Sequence, residues 1–371
     1  MVVIRGFEFS IREFAGSFGD FGTLIPFTIG YITLCGFSPN GLLLGIGLTN
    51  VLLALIYRLP LAVQPQKVIG TVSLAERWPM SRVLGAGFSV GLIWVVLSFS
   101  RRFNSLLGRV PSSVVRGIQL GLAFTLVLVG AELVAQNLLI SMALMILAFM
   151  LLRNRYLPAA LFLVFFGFAY ALITGSLNIA DIAIGLSLPQ LHIFSISDMF
   201  YGFVYAGFAQ LFLTLTNAVI ATIALVHDLF PERTDVTPSD LIANMGAMNV
   251  VTPFVGGMPL CHGAGGLASQ YLFGARTGGA LLMEGLMEIT LALFFSDSLL
   301  AIFTSYPEFI IGIMLILTSL ELGKTAFKEI EETEASVLVL TALFSTAFNV
   351  AIGFVAGLIL YVVLEKDLIT V

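Results

Sequence analysis

Charged side chains are scarce in this sequence of 371 residues. They make up 11% of it, whereas a soluble domain carries roughly 25%. Hydrophobic residues account for 58% and the mean hydropathy is +1.04. A globular core of this chain length cannot bury so much apolar side chain. The composition therefore excludes a soluble enzyme, a nucleic-acid-binding protein and a disordered protein, and it indicates an all-α polytopic membrane protein.

Cysteine and histidine are also rare, with two and three residues. Cys35 and Cys261 lie far apart inside apolar stretches, so we expect no disulfide framework. A zinc site needs three or four ligands, and Cys261 with His262 has no second cluster to join. We therefore expect no metal, no other cofactor and no enzymatic activity.

Apolar runs fill most of the chain, and fourteen of them can be placed. Seven precede a more polar stretch at residues 181–198 and seven follow it. The runs cover residues 17–36, 40–57, 60–76, 82–99, 112–132, 136–152, 158–175, 200–226, 237–251, 258–275, 277–296, 306–323, 334–349 and 350–365. Several are short or broken by glycine and proline, so twelve full crossings with two half-crossings stay an alternative to fourteen.

The basic residues support this count. When fourteen segments alternate from a cytoplasmic N-terminus, fourteen of the seventeen basic residues fall on the cytoplasmic side and only Arg77 and Arg82 fall outside. Lys67 lies within a segment. This asymmetry follows the positive-inside rule. We expect a multi-pass protein of the cell (cytoplasmic or inner) membrane with both termini in the cytoplasm.

Seven segments on each side of the polar stretch predict two repeats, residues 1–190 and 191–371. An odd number of crossings per repeat places the copies in opposite orientation, as in many secondary transporters. A short repeated sequence pattern supports the two repeats. Asn50-Val51 precedes Pro60-Leu61 by the same number of residues as Asn249-Val250 precedes Pro259-Leu260.

The third and tenth segments each read as an extended stretch followed by a half-helix. In the third, Leu59–Val63 runs into Gln64-Pro65-Gln66-Lys67, where proline suits the first turn of a helix. In the tenth, Met258–Cys261 precedes a helix that starts near His262-Gly263. Broken backbone inside a bilayer is tolerated only in buried or cavity-lining positions.

Two half-helices that begin near the midplane would present free N–H groups and positive dipole ends to one point. Gly263, Gly265 and Gly266 allow an oxyanion to approach the backbone. Lys67 would add positive charge, although its cost at a helix centre is roughly 2.5–3.5 kcal/mol. A lysine that reaches the interface or pairs with a structural carboxylate is the alternative. We predict an anion site.

The first and eighth segments carry polar groups that complete this picture. Thr23 lies in the first and Asn217 in the eighth, and we assign both to the site. Gln210 and Thr214 also lie in the eighth segment, and for these we expect a packing role, since polar side chains form ordinary bonds between membrane helices.

Three stretches together resemble the molybdate transporter family, distant relatives of the sulfate permeases: GSFGDFGTLIPF, AVQPQKVIG and GGMPLCHGAGGLASQYLFGARTGG. They occur in both halves and in the family's order. One position departs, because Gln66 stands where the family typically has methionine. The resemblance implies uptake of molybdate, with sulfate and tungstate as competitors.

The resemblance also implies the seven-plus-seven inverted-repeat fold, with a core domain (segments 1–4 and 8–11) and a gate domain (segments 5–7 and 12–14). In that fold the site lies between segments 3 and 10, flanked by 1 and 8. The substrate-binding residues that it implies here are Thr23, Gln64, Gln66, Lys67, Asn217, Cys261, His262, Gly263, Ala264 and Gly265.

Uptake of a dianion must be coupled to another gradient, because a negative-inside membrane opposes entry by roughly 2.3 kcal/mol per charge per 100 mV. We predict proton symport. His262 is the first candidate carrier because histidine titrates near neutral pH, and a structural hydrogen bond is its alternative role. Asp20, Glu284 and Glu288 are intramembrane carboxyl groups and the other candidates. Glu284 has a structural alternative, pairing with Arg276.

A sulfate, other anion or nucleobase carrier on the same fold is the nearest competing function. An anion channel or an intramembrane enzyme is a more distant one. The expected partners are molybdate, membrane lipid and a second copy of the chain as a homodimer, and no nucleic acid.

Overall fold

The computed structural model describes residues 2–4, 6–99, 111–151, 159–178, 183–326 and 332–365. In these ranges the chain is helical, apart from loops and two short ribbons. The first half contains α1 (Ile11–Gly16), α2 (Phe21–Cys35), α3 (Pro39–Tyr57), α4 (Lys67–Ala75), α5 (Met80–Ser98), α6 (Ser112–Val134), α7 (Leu138–Leu151) and α8 (Ala159–Ile173). The second half contains α9 (Ile196–Leu229), α10 (Pro238–Val251), α11 (Ala264–Phe273), α12 (Gly278–Phe294), α13 (Ser296–Thr304), α14 (Glu308–Ala326), α15 (Glu332–Ala347) and α16 (Val350–Glu365).

The helices follow the apolar runs with small shifts at their ends. Three elements were not predicted: the helices α1 and α13, and an N-terminal hairpin in which β1 (Val2–Ile4) pairs antiparallel with β2 (Phe7–Phe9). Residues 152 and 158, at the ends of two predicted segments, and residues 181–182 of the polar stretch lie outside the described residues.

Few of the helices are long enough to span a bilayer alone. Within the described ranges, four helical stretches have the length and hydropathy of a span, or up to six if two sharply bent pairs each count as one. One of the four stretches joins α6 and α7 through a 3₁₀ turn at Ala135–Asn137. One bent pair is α11 with α12, at 102°. The number of full crossings therefore stays a prediction.

Helix packing relates the two halves to each other. α3 of the first half packs along α12 of the second, and α5 packs along α10 in the corresponding way. α6 packs along α14 and α15, and α15 along α16. Glycines allow the closest approaches: a Cβ at Gly285 would lie 2.6 Å from the Gly47 carbonyl oxygen, and a Cβ at Gly312 would lie 2.6 Å from that of Gly130. Small residues at membrane helix crossings serve this purpose.

Candidate functional site

Two short strands from the two halves pair in the protein interior. β3 (Val63–Pro65) runs antiparallel to β4 (Leu260–His262), with Gln64 opposite Cys261. All six residues are buried. α4 follows β3 and α11 follows β4. Since the strands are antiparallel, the two half-helices leave the ribbon at opposite ends and their N-termini face each other across it. The predicted extended stretches and broken helices are confirmed.

The start of the first half-helix differs from the prediction. Pro65 belongs to the strand rather than to the first helical turn, and α4 begins at Lys67 after Gln66 in extended conformation. The missing N–H of Pro65 is compatible with an outer strand position. Gln66 N–H, the next donor along the chain, bonds the Pro259 carbonyl at 2.9 Å. The ribbon therefore continues through Pro65, and the helix starts two residues later than proline chemistry indicates.

The tip of α11 is built from glycines against a glutamine side chain. A Cβ at Gly266 would lie 2.6 Å from Gln64 Nε2, and a Cβ at Gly263 would also meet the Gln64 amide. A Cβ at Gly265 would meet nothing within 4 Å. Ala264 is half-buried and Gly265 is exposed. One side of this helix tip is therefore closed by Gln64 and the other is open.

The tip of α4 has a glutamine partner of its own. Gln210 Oε1 accepts a hydrogen bond from the Val68 N–H at 2.8 Å, and Gln210 Nε2 donates to Thr214 Oγ1 at 2.8 Å. Lys67, the first residue of the helix, is half-buried. Sequence reasoning gave Gln210 a packing role, yet it bonds the backbone of a half-helix tip. The signal available was its polar side chain in an apolar segment that flanks the site.

Two of the expected binding residues are bonded within the ribbon itself. Gln66 is fully buried and its Nε2 donates to the Leu260 carbonyl at 3.0 Å. Cys261 lies with its Sγ 3.7 Å from the Pro65 carbonyl oxygen. Asn249 also holds Leu260, through a pair of bonds of 2.6 and 2.8 Å to its carbonyl and N–H. These contacts fix the register of the strands.

His262 is buried, and each of its ring nitrogens lies near an oxygen acceptor, of which a neutral imidazole can donate to one. Its Nε2 lies 2.8 Å from Asn244 Oδ1 and its Nδ1 lies 3.3 Å from the Ala62 carbonyl oxygen. Asn244 in turn donates to the Tyr57 hydroxyl at 2.7 Å. This chain of bonds orients the end of β4 directly before the α11 tip.

Thr23 and Asn217 come from the two flanking helices and are both half-buried. α2, which carries Thr23, packs against β3 and α4. Asn217 lies in a π-helical stretch of α9, Thr214–Ile220, that packs against β4. π-helical turns are frequent at functional sites. The fold therefore brings both segments to the ribbon, as expected from the sequence.

The three carboxyl groups gather in a separate buried cluster. Asp20, Glu284 and Glu288 are each at most 4% exposed, and the Asp20 and Glu284 carboxyl groups lie close enough for their charges to interact. Glu284 accepts from Gln270 at 2.7 Å. The proposed pairing of Glu284 with Arg276 is wrong: the guanidinium donates to the Tyr271 and Ala275 carbonyls and lies 3.5 Å from the Tyr271 ring centroid.

Solved structures with the same fold are distant in sequence. The transmembrane domain of a cyanobacterial bicarbonate transporter, BicA, superposes with a TM-score of 0.69 at 13% identity, covering 96% of this chain and 98% of that one. The murine solute carrier 26 family member A9 anion transporter, in its inward-facing state, gives 0.72 at 14% identity, covering 98% and 70%. The fold is thus the seven-plus-seven inverted repeat of this class of transporters.

Sequence comparison finds relatives of higher identity than the solved structures. Molybdate transporter 1 of Arabidopsis thaliana is 31% identical over 96% of this chain and 89% of its own length, and molybdate transporter 2 of the same plant is 29% identical over 95% and 87%. The family model described as molybdate transporter of the MFS superfamily matches residues 12–126 and 202–322. The matched ranges contain the ribbon, both half-helix tips and the acidic cluster. The chain is a multi-pass membrane anion transporter, and it belongs to the molybdate transporter family.

Proposed function

We propose that this protein imports molybdate across the cell membrane by alternating access, and that it holds the oxyanion between the N-termini of α4 and α11. The observation that carries the proposal is the β3–β4 ribbon, which sets the two helix N-termini against each other inside the protein. Helix N-termini present unpaired N–H groups and positive dipole ends, which suit an anion.

The open side of the α11 tip defines the binding position. Gly265 and Ala264 offer backbone N–H groups there, and Gln64 closes the opposite side. Lys67 begins the facing half-helix and supplies the positive charge. Thr23 and Asn217 complete the polar lining from α2 and α9. In this assignment Gln66, Cys261 and His262 position the ribbon, because their polar atoms are bonded to neighbouring protein groups.

Helix packing supports a division into a core domain and a gate domain. α3 packs with α12 and α5 packs with α10, whereas α6, α14, α15 and α16 pack with one another. We assign the first group, with α2, α4, α9 and α11, to the core and the second, with α7 and α8, to the gate. Movement of the core against the gate would expose the anion to each side in turn.

Uptake against the membrane potential is proposed to be proton-coupled. Entry of a dianion against a membrane potential of 100 mV costs about 4.6 kcal/mol of free energy. The inward movement of co-transported protons offsets this cost. Both termini are proposed to lie in the cytoplasm, in line with the distribution of basic residues. The homodimer stays a prediction, which the mass of the purified protein in detergent would test.

Calorimetric titration of the purified chain with molybdate, tungstate and sulfate tests the binding site. We expect Lys67→Ala to weaken molybdate binding by more than about tenfold, or about 1.4 kcal/mol, because it removes the charge at the α4 tip. Lys324→Ala, at an exposed lysine near the end of α14, is the matched control.

Equal affinities in the wild type and Lys67→Ala would remove this lysine from the site. Stronger binding of sulfate than of molybdate would favour a sulfate carrier on the same fold. Accumulation of labelled molybdate above the external concentration in proteoliposomes excludes a channel.

A further inference from the structure

The buried acidic cluster contains many acceptors and few donors. Among the described residues, no hydrogen-bond partner reaches either Asp20 oxygen, Glu284 Oε1 or Glu288 Oε1. Each of these three residues is at most 4% exposed, so the carboxyl groups are shielded from bulk water. A buried polar group without a partner costs free energy. When all three carboxyl groups are ionised, four of their oxygens therefore lack a hydrogen-bond donor.

Two neutral side chains give independent evidence for what is missing. Gln270 and Asn50 are fully buried, and each donates its amide N–H to a carboxyl of the cluster, Gln270 to Glu284 and Asn50 to Glu288 at 2.8 Å. The carbonyl oxygens of the same two amides have no partner. These buried amide oxygens lack a donor. A protonated carboxyl group is such a donor.

The proximity of Asp20 and Glu284 leads to the same requirement. Ionisation of both buried carboxyl groups is unfavourable, because two like charges close to each other repel. One proton between them supplies the donor and removes a charge. Glu288 is the remaining titratable group that faces the pair; α3 contributes Asn50 and α11 contributes Gln270, neither of which titrates.

The cluster is linked to the proposed anion site through one short helix. Gln270 lies six residues after Ala264, so the cluster sits roughly 9 Å along α11 from its tip. The turn before α2 also packs directly on this helix, because a Cβ at Gly19 would lie 2.5 Å from the Gln270 nitrogen. A change in the cluster therefore acts on the half-helix that holds the anion.

We propose that Asp20, Glu284 and Glu288, with Gln270 and Asn50, form the proton site of this transporter, and that protons bound there travel with the anion. This inference rests on the proposed function and names its coupling residues. The proton comes from water on one side and is released to water on the other, so no bond of the anion changes. His262, the first candidate from the sequence, is not part of this site.

Reconstituted full-length protein tests the proposal through two transport modes. Liposomes are given an inward proton gradient to measure uphill uptake of labelled molybdate, or are loaded with unlabelled molybdate to measure exchange. We expect Glu284→Gln and Asp20→Asn to lose uphill uptake and to keep exchange, because the amide mimics the protonated group permanently. Glu232→Gln, at an exposed carboxylate, is expected to keep both.

The outcomes separate the two proposals. If the wild type neither accumulates nor exchanges molybdate, the proposed function fails. If the wild type does both and the two variants still accumulate molybdate with the proton gradient, the proton site is wrong while the function stands. Accumulation driven by a sodium gradient at equal pH would also overturn the proton site.

A measurement on the wild type keeps the test decisive if the variants do not fold. Infrared spectroscopy of the purified chain detects the carbonyl band of a protonated carboxyl group. We expect such a band at neutral pH, from the pair Asp20 and Glu284, without molybdate present. Its absence would overturn the inference independently of any transport result.

Discussion

Two glycines one residue apart at the α11 tip have opposite surroundings. Gly266 faces the Gln64 amide and the Ala62 side chain, so an added methyl group has no room. Gly265 faces open space. The first glycine is therefore a packing requirement, and the second leaves the space that the proposed anion would use.

Alanine substitutions at the two positions are expected to separate stability from binding. Gly266→Ala should destabilise the protein by about 1–3 kcal/mol through overpacking. Gly265→Ala should leave the melting temperature nearly unchanged and weaken molybdate binding by about tenfold or more, because the new methyl group occupies the anion's position. Thermal unfolding in detergent and calorimetry measure the two effects.

Normal molybdate binding by Gly265→Ala would show that the anion does not bind at this tip.

The individual residues of the site could be predicted only in part. Spacing located Gln64, Lys67 and the glycines, since they sit where a strand gives way to a helix. Side-chain partners could not be predicted: His262 reads as a titratable group near the site, and only the structure reveals its bonds to Asn244 and Ala62.

Glu13 on the short helix α1 connects the N-terminal segment to the start of α12. Its carboxylate accepts from the backbone N–H groups of Arg276, Thr277 and Ala280, at 2.7, 2.9 and 3.1 Å. α12 begins with unpaired donors, as every helix does. A carboxylate there satisfies them and interacts favourably with the helix dipole. α12 also carries Glu284 and Glu288. Glu13 therefore stabilises the start of the helix that contributes two carboxyl groups to the acidic cluster.

Removal of the Glu13 carboxylate is expected to destabilise the protein. Glu13→Ala should cost about 1–3 kcal/mol, because three buried N–H groups lose their acceptor. Glu13→Gln should cost less, since the amide keeps one oxygen for the bonds of Arg276 and Thr277. Thermal unfolding of the two variants in one detergent compares them. Equal stability of Glu13→Ala and the wild type would contradict this role.

Elements differed in how well the sequence predicted them. The apolar runs located most of the helices because lipid-facing and buried faces are both apolar. α13 was missed since Ser296–Thr304 lies beside a longer apolar run and joins α14 at 94°. The π-helical stretch around Asn217 was not predicted, because the hydropathy of an apolar run does not distinguish i→i+5 from i→i+4 hydrogen bonding.

At the scale of the whole molecule, the inverted repeat explains why two unlike segments form one site. Each half contributes one strand and one half-helix, and neither strand has a partner within its own half. The two asparagines of the predicted repeat have different partners. Asn249 holds the start of β4, whereas Asn50 bonds Glu288 in the acidic cluster. One asparagine therefore supports the proposed anion site and the other supports the proposed proton site.

Alternating access makes a prediction about the contact between α9 and α16. The Phe212 and Phe354 rings stack there with centroids 4.3 Å apart, and Phe208 also packs on Phe354. In our assignment α9 belongs to the core and α16 to the gate, so this contact must change during transport. Replacement of the two native cysteines, Cys35 and Cys261, by alanine leaves the introduced pair as the thiols that a reagent can join.

The double variant Phe212→Cys with Phe354→Cys, joined by a reducible bifunctional thiol reagent, is expected to bind molybdate and to transport none. Cleavage of the linker should restore uptake in the same liposomes, which excludes damage by the substitutions themselves. Each single variant treated with the reagent is the matched control. Full transport with the linker in place would mean that α9 and α16 move as one body, and the boundary between core and gate would have to be drawn elsewhere.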